Sequence, residues 1–145
     1  MDYLFSFGGR IGRGGWWLGI LAAAILSIAA QLLIYAIMGS PIGMVHADGT
    51  PIPLGDPMGA GDSMKINWAV YGATLLASIP AIWISVATSI SRLHDRGKSG
   101  WWYLLMFVLS FVIIGGIWML IECGILEGQQ GPNKYGPDPR GLQKA

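Results

Sequence analysis

Cysteine is nearly absent: the 145 residues contain one, Cys123. That excludes an intrachain disulfide and any metal site built from several thiolates. Histidine is almost as scarce, with only His46 and His94 in the chain. The topology argued below puts the two on opposite sides of a membrane, so no shared imidazole site is expected, and neither a metal nor a cofactor. Charge is sparse as well, at 12% Asp, Glu, Lys and Arg, and none of these interrupts residues 14–47, 66–91 or 99–121. Proton relays and ion-coupled transporters need titratable groups at membrane depth. Their absence from the apolar stretches argues against both. A net charge of +1 argues against a general polyanion binder, so no nucleic-acid partner is expected.

What the chain has is apolar length, 53% of its residues being hydrophobic. About 20 residues at roughly 1.5 Å each cross a hydrocarbon core of roughly 30 Å, and all three uncharged runs contain such a stretch. They predict an all-α integral membrane protein with three transmembrane helices, at about 16–38, 68–90 and 101–121, in a single membrane domain covering 1–145. The first run is too long for the apolar part of a cleaved signal peptide. Residues 39–67, rich in Gly, Pro and Asp, predict a polar loop. Residues 122–145 predict a flexible polar tail with a rigid turn at Asn133, Gly136, Pro137 and Pro139. Pro80 falls mid-helix and predicts a kink.

Orientation follows from the cations, because Lys and Arg near helix ends stay in the cytoplasm. Arg10 and Arg13 precede the first helix, and Arg92, Arg96 and Lys98 lie between the second and third. The long loop has only Lys65 against Asp48, Asp56 and Asp62. The N-terminus is therefore expected inside and the loop outside. An odd number of spans puts the C-terminal tail outside, against the pull of Lys134, Arg140 and Lys144. Trp16, Trp17, Trp68, Trp101 and Trp102 all begin helices, where an indole ring suits the lipid–water interface. Tyr3, Phe5 and Phe7 suit the same depth.

Small residues recur at every fourth position of two helices. Gly15, Gly19, Ala23 and Ser27 lead to Gln31 in the first, and Ala69, Ala73, Ala77 and Ala81 lead to Ser85 and Ser89 in the second. Small side chains let helix backbones approach closely in lipid. The two rows predict a contact face between helices one and two, with Gln31 hydrogen-bonding inward.

Candidate chemistry is thin. Gly97-Lys98-Ser99 ends like a phosphate-binding loop, but the glycine that loop requires five residues earlier is Arg92, and no strand precedes it. His94 and Asp95 are adjacent, and neighbours on a helix diverge by about 100°. The plainer reading is a carboxylate paired with Arg92, Arg96 or Lys98. What stands out is a basic face made by Arg10, Arg13, Arg92, Arg96 and Lys98 around His94 and Asp95. Arginine matches phosphate oxygens, and a cation near an anionic leaflet contributes about 1 kcal/mol. Anionic lipid headgroups or a partner protein are the expected contacts.

"GRIGRGGWW" at 9–17, "SRLHDRGKSGWW" at 91–102 and "GPNKYGPDP" at 131–139 together closely resemble domain-of-unknown-function family 805, over nearly the whole chain. The family usually carries paired arginines before Leu-His-Asp, where Ser91 precedes Arg92 here. The resemblance implies a small bacterial inner-membrane protein and supplies no activity. The residues and the resemblance lead to one expectation: a non-enzymatic inner-membrane protein with a basic cytoplasmic turn. The alternative is an accessory or pore subunit of a small-molecule transport assembly. A homo-oligomer or a membrane-protein partner fits either.

Overall fold

The computed structural model describes residues 7–53 and 56–141, and it is predominantly helical. Helix α1 runs Arg13–Met38 and α2 runs Trp68–Asp95, 26 and 28 residues. At about 1.5 Å per residue, each exceeds a hydrocarbon core of roughly 30 Å, and both are apolar enough to cross one. Helix α2 continues through Pro80 without interruption.

Two compact units make up the chain, Leu26–Ile79 in one and Met1–Ile25 with Pro80–Ala145 in the other. The first contains the expected loop, which carries structure that composition did not reveal. Strand β1, Ile42–Val45, pairs antiparallel with β2, Ser63–Ile66, in the register Ile42 to Ile66. Four-residue strands separated by a long Gly- and Pro-rich connection have too little alternation to read from sequence. Asp48 accepts the Thr50 N–H at 2.9 Å and its hydroxyl at 2.7 Å. Asp62 accepts the Gly59 N–H at 2.7 Å. These donors hold both carboxyls below their ordinary range.

In the second unit the beginning of α1 packs on the end of α2. A Cβ at Gly19 would collide with the Thr88 side chain, and Ala23 is buried with Ala81 and Ile84. Trp16 donates its indole N–H to Ser89 Oγ at 3.2 Å. Helix α1 buries Trp16, Gly19 and Ala23 and exposes Leu18, Leu21 and Ile25. A helix with small residues inside and large apolar ones outside suits a lipid solvent, because exposed apolar surface of this extent has no place in water.

The third expected span is corrected. Residues 101–121 do not form one helix: α3 is Trp101–Ser110, α4 is Ile114–Met119, and a π-helical turn, Leu120–Ile125, follows α4 directly. Along a straight helix Trp102 and Trp118 would lie about 24 Å apart. Their ring centroids are 5.7 Å apart, edge to face. The chain therefore reverses at Phe111–Ile113, and α3 and α4 form a tight helical hairpin. Ile113 makes the turn at φ 69, the only described non-glycine residue with positive φ, a costly conformation for a β-branched side chain. Gly115 permits the close approach, since a Cβ there would strike the Met106 carbonyl and the backbone of Leu109 and Ser110.

Candidate functional site

The basic stretch begins where α2 stops. Gly97, at φ 74, donates to the His94 carbonyl at 2.9 Å, and Lys98 N–H donates to the Leu93 carbonyl at 2.9 Å. This is a helix end closed by a left-handed glycine. The Gly-Lys-Ser run is thus a helix cap, and no phosphate loop is formed. Arg92 and Asp95, one turn apart, point inward, and both are buried.

Asp95 is the centre of the site. One carboxylate oxygen accepts from Arg10 Nε at 3.1 Å and Nη2 at 3.0 Å, and the other accepts from Arg92 Nη1. Side-chain exposure is 1% for Arg10 and 1% for Arg92. Each guanidinium also donates to main-chain carbonyls, Arg10 to Gln129 and Gly131 at 2.6 Å and Arg92 to Cys123 at 3.0 Å and Ile11 at 3.4 Å. Buried charges are tolerated when their remaining hydrogen-bonding capacity is met, and here it is.

The returning hairpin explains why so many cations gather. A helix ends with main-chain carbonyls that have no partner inside it, and its C-terminus carries a partial negative charge. Five consecutive carbonyls at the end of the π-helical turn each accept a side-chain N–H. Cys123 and Leu126 take Arg92, Gly124 takes the Trp17 indole at 3.3 Å, Ile125 takes Arg13 at 3.1 Å, and Glu127 takes Arg96. Glu122, buried at the start of this run, pairs with Arg96 at 2.9 Å and Lys98 at 2.8 Å. Lys98 in turn lies 4.8 Å from the centroid of Trp102.

The tail is clasped onto the same platform. Gln129 N–H donates to the Asp95 carbonyl at 2.8 Å, and a Cβ at Gly128 would collide with the Asp95 carboxylate. Asn133 Nδ2 donates to the His94 carbonyl at 2.9 Å. The His94 and Tyr135 rings stack at 3.9 Å and 6°. Asn133 and Gly136 exchange main-chain hydrogen bonds of 3.1 Å, forming the expected turn. Asp138 accepts from Arg140 Nε at 3.1 Å and from Gly131 N–H at 2.9 Å. The Arg140 guanidinium, its strongest influence, holds its carboxyl far below the usual range.

These contacts revise three expectations. The described tail, through 141, is irregular but anchored, where a loose one was expected. A tail across the membrane from the turn could not touch it, so these contacts overturn the expectation that a membrane separates turn from tail. The side chains of Arg10, Arg92 and Asp95 are enclosed by protein, where an open basic face was expected. Arg13 remains 49% exposed on its side chain and pairs with Glu127 at 3.1 Å. Arg96 and Lys98 are partly exposed. His94 and Asp95 diverge, one to Tyr135 and the other to the arginines. No group of three or more His, Cys, Asp or Glu side chains able to hold a metal occurs among the described residues.

Among the tryptophans expected at the interface, Trp16 is instead a core residue with Ile11, Leu93, Met106 and Cys123. Trp17, Trp68 and Trp101 are exposed, and Trp102 is half-buried against Trp118. Of the packing rows, Gly19, Ala23 and Ala81 lie in the α1–α2 contact just described. Ser85 hydroxyl turns back to the Ala81 carbonyl at 2.9 Å. Ala73 and Ala77 are half-buried. Gln31 donates to Ser27 within its own helix at 3.0 Å. Tyr3 and Phe5 lie outside the described residues; Phe7 packs edge to face on Trp83 at 4.9 Å. The carbonyls of 123–127 were missed because any residue type supplies them. Glu122, ionisable at the end of an apolar run, was the visible signal.

Residues 4–137 match the sequence profile of a family described as "Protein of unknown function (DUF805)". The chain belongs to that family. Relatives include the uncharacterized protein YiiR of Escherichia coli strain K12, 29% identical over 98% of this chain and 91% of its own length. The inner membrane protein YhaH of the same strain is 30% identical over 93% of this chain and 88% of its own length. A shorter match, 44% identical over 38% of this chain and 43% of the relative, links it to the inner membrane protein YhaI. No solved structure matches. Family and apolar helices together place this DUF805 protein in the membrane.

Proposed function

We propose that this DUF805 protein is a non-enzymatic protein of the bacterial inner membrane. Its cytoplasmic face is a folded platform that contacts anionic lipid headgroups. The observation that carries this reading is the distribution of cations. Of nine Lys and Arg residues, Arg10, Arg13, Arg92, Arg96, Lys98, Lys134 and Arg140 all belong to the unit that holds the turn. The cations that once opposed an external tail now agree with a cytoplasmic one. With α1 and α2 as the full spans, both termini lie inside, and the 39–67 connection lies outside.

The buried arginines serve the fold, so lipid contact falls to the rim: Arg13, Lys98 and Lys134, the last exposed beside Tyr135. Each contributes about 1 kcal/mol at an anionic surface. Nothing in the geometry favours an accessory or pore subunit over this reading. The test is lipid retention in nanodiscs of mixed neutral and anionic composition. Arg13→Gln with Lys134→Gln should lower the anionic fraction that co-purifies. Retention equal to that of the unaltered protein removes the lipid reading and leaves a protein partner as the occupant of the platform.

A further inference from the structure

We infer that the α3–α4 hairpin is a re-entrant element: it enters the acyl-chain region of the leaflet bordering the turn and tail, and returns without crossing. This rests on the reading of α1 and α2 as spans. Ten residues of α3 reach about 15 Å, half of a hydrocarbon core of roughly 30 Å. The tip is wholly apolar and turned outward, Phe111 at 81% and Ile113 at 73% exposure. At the base, Lys98 and Glu122 pair at 2.8 Å, and Trp101, the first residue of α3, is exposed, as suits the headgroup level.

Lipid, rather than a second copy or another protein, fits the pattern of exposure. A protein partner needs one apolar stripe, whereas acyl chains surround. Leu104, Phe107 and Val108 of α3 and Ile114 and Ile117 of α4 are all exposed. The reversal also pairs part of its own backbone, as hydrocarbon favours. Phe111, Val112 and Ile113 N–H groups donate to the Val108, Leu109 and Ser110 carbonyls at 3.3, 3.1 and 3.0 Å.

The experiment places single cysteines in the full chain at Ala47, Ser99, Lys134 and, as two independent tip variants, Phe111→Cys and Val112→Cys. Native Cys123 is buried and is measured alone as background. An impermeant maleimide is applied to spheroplasts before and after lysis. Tip variants are also labelled with a fluorophore in denaturant and reconstituted with brominated lipids. Ser99→Cys and Lys134→Cys should share one labelling pattern, and the tip should stay unlabelled from either side. Tip fluorescence should be lost to bromines deep on the acyl chains and kept with bromines near the headgroup.

Opposite patterns at 99 and 134 would show a full crossing and overturn the inference. A tip that reacts from water overturns it also, as does a tip that forms disulfides between copies and escapes deep quenching. If Ala47→Cys shares the side of Lys134→Cys, the spanning reading fails first, and the inference falls with it. If all sides are merely reversed, the proposed orientation fails and the hairpin stands.

Discussion

Asp95→Asn removes the carboxylate that joins Arg10 before α1, the turn and the tail. The native group is 3% exposed on its side chain and is shared by two arginines. Removing one partner of a buried ion pair costs about 3–5 kcal/mol, because the other charge is left without compensation. Here both guanidiniums keep main-chain acceptors, Arg10 at Gln129 and Gly131 and Arg92 at Cys123 and Leu126. The loss should therefore fall near the lower end, about 3 kcal/mol, or about 150-fold in the docking equilibrium of the tail. Hydrogen exchange in nanodiscs reads this at the tail amides, above all Gly131, whose N–H is held by Asp138. Exchange at Gly131 and Gly136 should quicken by about that factor. Unchanged exchange would refute the argument that Asp95 holds the clasp, and would show that the carbonyl caps alone suffice.

Gly115→Val should destabilise the hairpin by about 3 kcal/mol, the upper end for overpacking, because the clash is with backbone that no rotamer relieves. Gly116→Val, with open space at its Cβ, should cost about 0.5 kcal/mol or less; equal melting temperatures for the two in detergent would refute the hairpin packing. The carboxyl of Asp138 has a folded pKa below its unfolded value, so its contribution is fully present above about pH 4. Tail protection from exchange should be level from pH 7 to about pH 4 and fade only below that, and Asp138→Asn should lower protection at pH 7 and shrink the acid-side fall.

The two long helices were legible as charge-free runs long enough to cross a bilayer. The third was not, because hydropathy records how apolar a segment is and says nothing of its direction. A 21-residue apolar run serves one crossing or two half-length helices equally well. The discriminating marks were present: Gly115-Gly116 lie inside the run, and Glu122 beyond it complements Arg96 and Lys98 before it. Lys134, Arg140 and Lys144 in a supposedly external tail also conflicted with the rule that oriented the rest. The basic cluster was visible as a cluster, but the part that Arg10 and Arg92 play inside the fold was not. Arginines that suit phosphate oxygens suit helix-end carbonyls equally well, and only the returning chain decides between them.

The proposed topology returns the chain to the side from which α3 departs and so assigns both termini to one side of the membrane. Green fluorescent protein fused before Met1 or after Ala145 fluoresces when its end is cytoplasmic and stays dark when exported across the inner membrane. The account predicts fluorescence from both fusions. A bright N-terminal fusion with a dark, membrane-inserted C-terminal one would contradict it.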